Sequence, residues 1–345
     1  NVKCWGENGD GQLGLGDTAD RGDAPGEMGS NLPSVNLGPG RTAVAISAGH
    51  AHTCAVLDDA TLKCWGDNAF GQLGQGDTAD RGDGAGEMAG NLAAISLGSA
   101  RTAVAVAAGQ YHSCVLMDNA KVKCWGGNAV GQLGLGDTVG RGAGPGEMGG
   151  SLPAGALGTG RTVERLVAGA QHTCAVLDDA TLKCWGLNFN GQLGLGNNLA
   201  RGDAANEMGN NLAAVALGTG RTAVDVGLGD IHTCAVLDDG SVKCWGGNSA
   251  GQLGLGDLVA RGDGAGEMGD SLPTVDLGTG RDTRAIAVDG VSACALLDVS
   301  QLRCWGSGSG GGLGPGDTPT RGGGPGELGD ALPYGELPGR GPGTV

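Results

Sequence analysis

Apolar residues in this chain occur in short alternating runs that are separated by Gly, Asp and Asn. Near the start of the chain such runs lie at residues 32–37, 42–47, 52–57 and 61–66. Each run is short, contains β-branched or alternating apolar residues, and is bounded by turn-forming residues, which is typical of β-strands. No segment carries an apolar stripe with a 3.6-residue period over three helical turns. The pattern therefore predicts an all-β chain.

The same pattern returns with a period of sixty residues. The tripeptide Cys-Trp-Gly begins at Cys4, Cys64, Cys124, Cys184, Cys244 and Cys304. The period divides the chain into repeats at residues 1–60, 61–120, 121–180, 181–240, 241–300 and an incomplete 301–345. Four strands per repeat, repeated about six times, predict a single β-propeller domain of four-stranded blades. Six blades are visible, as a whole ring or as part of a seven-bladed or incomplete ring; a β-solenoid would have shorter coils.

Composition and charge narrow the classes of partner. The chain has 75 Gly and 12 Pro among 345 residues, which suits a repeat protein rich in tight turns. Its formal net charge is −16, and an acidic surface repels nucleic-acid phosphates and anionic lipids. We therefore expect no nucleic-acid binding. No run of about 18 apolar residues is present, so we also expect no membrane insertion.

Two segments resemble a known repeat family. Residues 64–77 contain Trp-Gly-Asp-Asn-Ala-Phe-Gly-Gln-Leu-Gly, and residues 48–57 contain Ala-Gly-His-Ala-His-Thr. Together they resemble the repeat of the regulator-of-chromosome-condensation β-propellers. The resemblance recurs in all six repeats and covers essentially the whole chain, although the sixth departs from the motif at residues 307–314. The cysteine pairs and the insert at residues 21–33 are similar to secreted bacterial members.

The resemblance implies a propeller, usually of seven blades, that serves mostly as a protein-binding platform. Some members of the family act as exchange factors for a small GTPase, one type senses ultraviolet light, and one secreted type inhibits β-lactamases. One fold therefore carries several functions, and the resemblance leaves the function of this chain open.

Two cysteines in each complete repeat are predicted to face each other across a hairpin. A three-residue loop makes Leu57 face Thr61, and Gly240 stands where a left-handed bulge residue belongs in a later copy. Counting back from the turn pairs Cys54 with Cys64 at a non-hydrogen-bonded position, where Cα atoms approach to about 4.5 Å. The same register predicts disulfides Cys54–Cys64, Cys114–Cys124, Cys174–Cys184, Cys234–Cys244 and Cys294–Cys304. Disulfides indicate a secreted, extracellular or cell-surface location.

Zinc and redox chemistry are the alternatives for these cysteines. A structural zinc site needs four ligands, whereas a hairpin pair supplies two, and the nearby His52 becomes Ser292 in a later repeat. Redox pairs usually have closer spacing, as in Cys-x-x-Cys. Cys4 remains without a partner in this register. Either a preceding segment of a longer protein supplies the partner, or a strand or thiol from a neighbouring chain does.

Charged residues in the insert suggest structural contacts. Arg21 and Glu27 recur in every repeat, and we predict that they form a structural ion pair or backbone clamp. The alternative is two solvated charges. Asp17, Asp20 and Asp23 have the oxygen ligands that calcium prefers, but the third repeat lacks two of them. We therefore expect no cofactor and no metal site, with calcium as the alternative.

The positions that differ between repeats are candidates for partner recognition. One variable run includes residues 50–51 and the other includes residues 67–70, and the hairpin register brings them to the end opposite the Asp-Asp turn. The residues predicted to form a partner-binding face are His50, Phe70, Tyr111, Leu187, Phe189 and Ile231. Exposed aromatic residues are typical interface anchors. The alternative is that each packs against its neighbouring blade.

The sequence therefore favours a non-enzymatic extracellular scaffold that binds another protein or a surface glycan. No nucleophile stands beside a general base, and no catalytic residue is predicted. A structural subunit that self-assembles through its incomplete blade is the alternative, and an enzyme or exchange factor comes third.

Overall fold

The computed structural model describes residues 1–314 and 318–335. The chain divides into two compact units: unit 1 comprises Asn1–Asp178 and Arg201–Leu212, and unit 2 comprises Asp179–Ala200 and Ala213–Val345. The end of the predicted last repeat, residues 336–345, lies outside the described residues, as do residues 315–317. Strands, short 3-10 turns and loops make up the described residues, which contain no α-helix and no helix able to cross a bilayer. The all-β prediction is confirmed.

Unit 1 contains antiparallel sheets built from hairpins. One sheet is formed by β1 (Ala43–Ala48), β2 (His52–Leu57) and β3 (Leu62–Gly66), and the next by β4 (Ala103–Ala108), β5 (His112–Met117) and β6 (Val122–Gly126). In the third repeat, β7 (Val163–Ala168) pairs with β8 (His172–Leu177). The sixty-residue period of the sequence is therefore also the period of the strands.

Unit 2 continues the same order. It contains β9 (Leu182–Gly186), a sheet of β10 (Ala223–Leu228), β11 (His232–Leu237) and β12 (Val242–Gly246), and a sheet of β13 (Thr283–Asp289), β14 (Ser292–Leu297), β15 (Leu302–Gly306) and β16 (Tyr334–Gly335). Short 3-10 turns lie at Gly269–Ser271, Ser309–Gly311 and Gly329–Ala331.

The prediction of a strand at residues 32–37 is wrong. This segment is a loop, and its backbone contributes one hydrogen bond to the outer edge, from the Val35 N–H to the Val2 carbonyl. The second repeat has Ala93 in place of Pro33, and its segment is also a loop with one such bond, from the Ile95 N–H to the Leu62 carbonyl, so proline is not the cause. Only in the last described repeat does the equivalent segment pair over two residues, as β16. The apolar pattern indicated burial, which the loop achieves without strand pairing.

The core of each unit lies between sheets of successive repeats. In unit 1, Trp125 of β6 packs with Cys54, Val56 and Leu62 of the preceding sheet, β1–β2–β3. All residues of β2 and β3 are buried, because neighbouring elements cover both faces of this hairpin. Face-to-face packing of sheets explains why apolar residues occur at consecutive positions in these strands as well as at alternating ones.

A backbone carbonyl of one repeat joins it to the next. The Gln12 carbonyl accepts hydrogen bonds from the Thr53 hydroxyl at 2.9 Å and from the Trp65 indole N–H at 3.1 Å. In unit 2, the Gln192 carbonyl receives the corresponding bonds from Thr233 and Trp245. Trp65, Trp125, Trp245 and Trp305 each donate in this way to the Gln carbonyl of the repeat that precedes them.

Candidate functional site

The structure brings Phe70 and Tyr111 together in unit 1, at the end of the hairpins opposite the Asp-Asp turns. Their ring centroids are 4.7 Å apart and the ring planes are inclined by 43°. The Phe70 side chain is 49% exposed, and Tyr111 is half-buried, with its hydroxyl accepting a hydrogen bond from Gln110 Nε2 at 3.1 Å. Phe70 follows β3 and Tyr111 precedes β5, so residues from the loops of two sheets form one aromatic pair at the surface.

Side-chain hydrogen bonds fix the loop that carries Phe70. Gln72 Oε1 accepts the Phe70 N–H at 2.9 Å, and Gln72 Nε2 donates to Asp67 Oδ2 at 2.7 Å. Asn68 Nδ2 donates to the Asp77 carbonyl at 2.9 Å, which anchors the other side of the loop. These bonds come from the Asn and Gln of the recurring motif. The recurring Asn and Gln side chains therefore fix the loop, and the loop carries at its surface a residue that changes from repeat to repeat.

Acidic residues lie beside the aromatic pair. Burial raises the pKa of Asp10, and the negative charges of Asp67, Asp80 and Glu7 raise it further, whereas His50 opposes them. His50 is exposed. The sequence contained a signal for this cluster, because Asp10 occupies the same position in the first repeat that Phe70 occupies in the second. Sequence reasoning considered the large side chains at these positions and missed the carboxylates.

Six arginines of unit 1 pair with aspartates outside this acidic group. Arginines in the inserts pair with an aspartate four residues earlier, and those before the inner strands pair with aspartates at the hairpin turns: Arg21–Asp17, Arg81–Asp77, Arg141–Asp137, Arg41–Asp58, Arg101–Asp118 and Arg161–Asp178. Lys63 and Lys123 are buried. His50 is the basic residue whose charge acts on Asp10.

We name this surface the loop-end face of unit 1, defined by Glu7, Asp10, His50, Asp67, Phe70, Asp80 and Tyr111. It combines exposed aromatic area with negative charge. Such a surface can contact an apolar group and attract a cation at the same time. No group of three or more side chains able to hold a metal ion occurs among the described residues.

The other predicted face residues belong to unit 2 and are described by themselves. Phe189 is 73% exposed, whereas Leu187 and Ile231 are half-buried. Ile231 lies over Gly247: a Cβ at Gly247 would stand 2.5 Å from Ile231 Cδ1. Phe189 is thus free to contact another molecule, while Ile231 partly fills the space that a glycine leaves.

Comparison with known proteins identifies the repeat. A model described as the regulator of chromosome condensation (RCC1) repeat matches residues 43–72, 103–132, 163–192 and 223–252, and a second model with this description matches residues 2–56. The chain belongs to the RCC1-repeat family. The matched segments contain the hairpins β2–β3 and β5–β6 together with the Gln-containing loops that follow them.

Similar proteins span several functions. This RCC1-repeat chain is 29% identical over 313 residues to the ultraviolet-B receptor UVR8 of Arabidopsis thaliana. The alignment covers 88% of this chain and 59% of the receptor, so the chain spans about three fifths of that relative's length. Human WBSCR16 has a similar structure, with a TM-score of 0.64 at 20% identity over 97% of this chain and 78% of that protein.

A second similar structure is yeast RCC1, Prp20, in its complex with Kap60. The TM-score is 0.65 at 19% identity, over 92% of this chain and 69% of that protein. At this level of identity the likeness concerns the fold. Together with the repeat match it confirms the predicted fold class, a β-propeller built from RCC1 repeats. The number of blades in a ring and the assignment of the chain to one domain stay predictions.

The RCC1 hairpins contain the predicted disulfides. Cys54 faces Cys64 in the β2–β3 register, with Cα atoms 4.0 Å apart. The structure also contains the bonds Cys114–Cys124, Cys234–Cys244 and Cys294–Cys304, and Cys174 and Cys184 are disulfide-bonded as well. A Cα separation this short agrees with the predicted non-hydrogen-bonded position.

Cys4 is a free cysteine in the described residues. Burial raises the pKa of its thiol, which keeps it protonated at neutral pH and slows its reaction with oxidants. The neighbouring Trp5 is 62% exposed, whereas Trp65 at the same position of the next repeat is fully buried. Cys4, Trp5, Gln12 and Thr53 line a cavity of about 320 Å³.

Arg21 and Glu27 act on the insert through separate contacts, which corrects the predicted ion pair between them. Arg21 Nη2 lies 2.7 Å from Asp17 Oδ2. Glu27 Oε2 accepts the N–H groups of Gly22 at 2.7 Å and Ala24 at 3.1 Å. These backbone hydrogen bonds, with Gly22 first, lower the pKa of Glu27. A carboxylate that receives backbone N–H groups closes the loop as a clamp, and the arginine has a nearer acid.

Two of the recurring histidines, His52 and His112, form buried links between RCC1 repeats. His52 Nε2 lies 2.9 Å from the Ser113 hydroxyl, and His112 Nε2 lies 2.9 Å from the Thr173 hydroxyl. Burial lowers the pKa of His52 to about 4 and that of His112 to about 3. These imidazoles are neutral at physiological pH. They connect hairpins.

Asp17 and Asp20, the acids considered for calcium, have partners within the chain. Both accept hydrogen bonds from Asn8, Asp20 from its backbone N–H and Asp17 from its side chain.

Proposed function

We propose that this chain is a non-enzymatic scaffold that acts outside the cytosol and binds another protein through its loop-end face. The observation that carries the proposal is the surface pair of Phe70 and Tyr111, at positions that change from repeat to repeat. A repeated frame with variable aromatic residues on its surface suits recognition, since aromatic residues are enriched among interface anchors.

Two further observations support this function. Yeast RCC1, a similar structure, is known in a complex with the protein Kap60, so a protein that contains this fold is known with a protein partner. The disulfides of the hairpins support a compartment outside the reducing cytosol, because bonds of this kind persist in oxidising environments. The tryptophans Trp65 and Trp125 are buried and hydrogen-bonded within the core, which favours a packing role for them.

The test is affinity capture with the oxidised chain. The chain is immobilised and exposed to extracellular fluid from its native source, and captured proteins are then produced alone and measured in binary binding. The double variant Phe70→Ala/Tyr111→Ala should weaken that binary affinity by about tenfold or more. The matched control Val44→Ala/Val139→Ala shortens exposed side chains elsewhere and should leave the affinity within about twofold.

Equal affinity of the wild type and the aromatic variant would contradict the assignment of this face. A glycan array probed with the same proteins tests the surface-glycan version of the proposal. Binding of a glycan that depends on Phe70 and Tyr111 would replace the protein partner with a carbohydrate one, and would keep the scaffold function.

A structural subunit is the second candidate, and the exposed Trp5 beside the free thiol of Cys4 favours it. In this alternative a neighbouring chain covers Trp5 and forms an interchain disulfide. Non-reducing electrophoresis of the native protein, compared with Cys4→Ser, decides it. Covalent oligomers that disappear in the variant support the structural role, and a monomer in both samples contradicts it.

A further inference from the structure

The loop-end face of unit 1 has a charge and shape that select among protein partners. We propose that it binds a Lys- or Arg-bearing segment of the partner, with the cationic side chain against Phe70 and Tyr111 and its charge directed toward Asp10 and Asp67. This inference rests on the proposed function and specifies the class of partner that the scaffold recognises.

The first argument is charge. Asp67, Asp80 and Glu7 lie close enough to Asp10 to raise its pKa, and His50 is the basic group that opposes them. The insert and turn arginines of unit 1 are held by other aspartates, as described above. A chain of net charge −16 also attracts cations from a distance. Charge complementarity therefore favours a basic segment and disfavours an acidic one.

The second argument is the state of the carboxylates. Asp67 is fixed, because its Oδ2 accepts Gln72 Nε2 at 2.7 Å and its Oδ1 accepts the Ala69 N–H at 2.9 Å. By contrast, no described residue donates a hydrogen bond to the Asp10 carboxylate. Partial burial and the neighbouring negative charges disfavour its charged form. A guanidinium or ammonium group from a partner would supply the missing donor and counter-charge.

The third argument is the aromatic pair. A cation gains most when it lies within about 6 Å of a ring centroid. The chain contains this geometry in unit 2, where the Arg303 guanidinium carbon lies 4.5 Å from the centroid of the Tyr334 ring. Phe70 and Tyr111 offer two inclined rings at the surface, and no cation–ring contact with either is found in the part of the chain that the structure describes. Their exposed faces can receive the aliphatic stem of the side chain as well as its charged end.

The experiment measures binding of a fluorescein-labelled octa-arginine peptide by anisotropy at 150 mM NaCl, with octa-glutamate as the charge-reversed probe. Octa-arginine should bind and octa-glutamate should not. Phe70→Ala/Tyr111→Ala should weaken octa-arginine binding by at least about fivefold, while Tyr111→Phe, which keeps the ring, should stay within about twofold. Circular dichroism and thermal melting confirm that each variant is folded.

A charge-matched pair isolates the site from the general acidity of the chain. Asp10→Asn should weaken octa-arginine binding by about three- to tenfold. Glu164→Gln removes one exposed negative charge from β7, away from the loop-end face, and should change the affinity by less than about twofold. Equal effects of the two substitutions would overturn the inference, because octa-arginine would then respond to net charge alone. Binding that ignores the loss of both rings would overturn it as well.

Failure of this inference can be separated from failure of the proposed function. A partner that is captured through Phe70 and Tyr111, and that octa-arginine does not displace, keeps the scaffold function and overturns the basic segment. Displacement by octa-arginine but not by octa-glutamate supports both. Octa-arginine binding at the two rings, together with natural partners that ignore them, supports the chemistry of the face and contradicts the proposed function.

Discussion

At the scale of single residues, the buried cation Lys63 is held by backbone carbonyls of two loops. Lys63 donates from Nζ to the carbonyls of Leu37 at 3.1 Å and Ala89 at 2.6 Å, and burial lowers its pKa. In the last described repeat Arg303 takes the same position and donates to the Leu277 carbonyl at 2.7 Å and to the Gly329 carbonyl. The position thus requires a long donor that reaches two carbonyls.

This requirement predicts the outcome of a pair of substitutions at Lys63. Lys63→Met retains the length of the side chain but leaves both carbonyls without a donor, so the free energy of unfolding should fall by about 1–3 kcal/mol. Lys63→Arg should be tolerated within about 1 kcal/mol, because Arg303 shows that a guanidinium fits this environment. Urea denaturation of the two variants measures the difference, and equal losses would contradict the role given to the donor.

The buried histidines make stability depend on pH in a defined direction. In the folded chain the pKa of His52 is about 4 and that of His112 about 3, against about 6.5 in the unfolded chain. Between these values the unfolded chain binds more protons, so the free energy of unfolding is highest above pH 6.5 and falls as the pH drops toward 4.

Urea unfolding at pH 7.5, 6.5, 5.5 and 4.5 tests this dependence. His52→Gln removes one titrating group and keeps a side chain that can bond Ser113, so its stability should decline less steeply than that of the wild type between pH 6.5 and 4.5. Parallel declines in the two proteins would show that other groups control the acid sensitivity.

At the scale of elements, the β2–β3 hairpin depends on one left-handed residue in its turn. Ala60 has φ 60° there, and Gly240 has φ 78° at the equivalent place in the β11–β12 hairpin. A residue with a Cβ costs about 1–2 kcal/mol in the left-handed region, and glycine avoids this cost. Part of that advantage is lost, because glycine has more conformational freedom in the unfolded chain. Ala60→Gly should therefore stabilise the chain by about 0.5–1 kcal/mol.

The reverse substitution is the matched control. Gly240→Ala should destabilise the chain, because the new Cβ would be strained and would lie 2.9 Å from Asp282 Cβ. Differential scanning calorimetry should show a higher melting temperature for Ala60→Gly and a lower one for Gly240→Ala. A lower melting temperature for Ala60→Gly would contradict the assignment of backbone strain to this turn.

The hairpins were predictable from sequence, and the fourth strand was not. The turn residues set the register that makes Cys54 face Cys64, and this information is local. In contrast, the apolar residues at 32–37 indicate burial without specifying whether a backbone ladder forms, and one hydrogen bond from Val35 proved to be the extent of the pairing. An apolar pattern reports the environment of side chains more directly than it reports backbone bonding.

Only part of the candidate site could be predicted for a related reason. Variation between repeats was sufficient to select Phe70 and Tyr111, since variable positions within a repeated frame are visible in the sequence. The carboxylates of Asp10 and Glu7 belong to a different repeat from Asp67 and Asp80. Their influence on one another depends on which loops of successive repeats become neighbours, and one repeat alone does not contain that information.

At the scale of the whole molecule, stability should depend on the redox state. Each hairpin disulfide closes a loop between cysteines ten residues apart and should contribute about 3 kcal/mol in the chain-entropy model. Full reduction should therefore lower the melting temperature far more than the loss of a single bond in Cys54→Ala/Cys64→Ala. The oxidised chain should show one thiol, Cys4, to a thiol reagent after denaturation, and more than one would contradict the complete set of disulfides.

The bonds from Trp65 and Thr53 to the Gln12 carbonyl have a consequence for how such a gene can grow or shrink. Trp65, Trp125, Trp245 and Trp305 each donate to a carbonyl 53 residues earlier, so recombination that adds or removes sixty codons keeps this spacing between donor and acceptor. A crossover that changes the length by any other amount separates an indole from its carbonyl. Duplication in whole periods is thus the form of copying that this architecture tolerates, and a freshly copied repeat can diverge first at the loop positions that no neighbouring repeat uses.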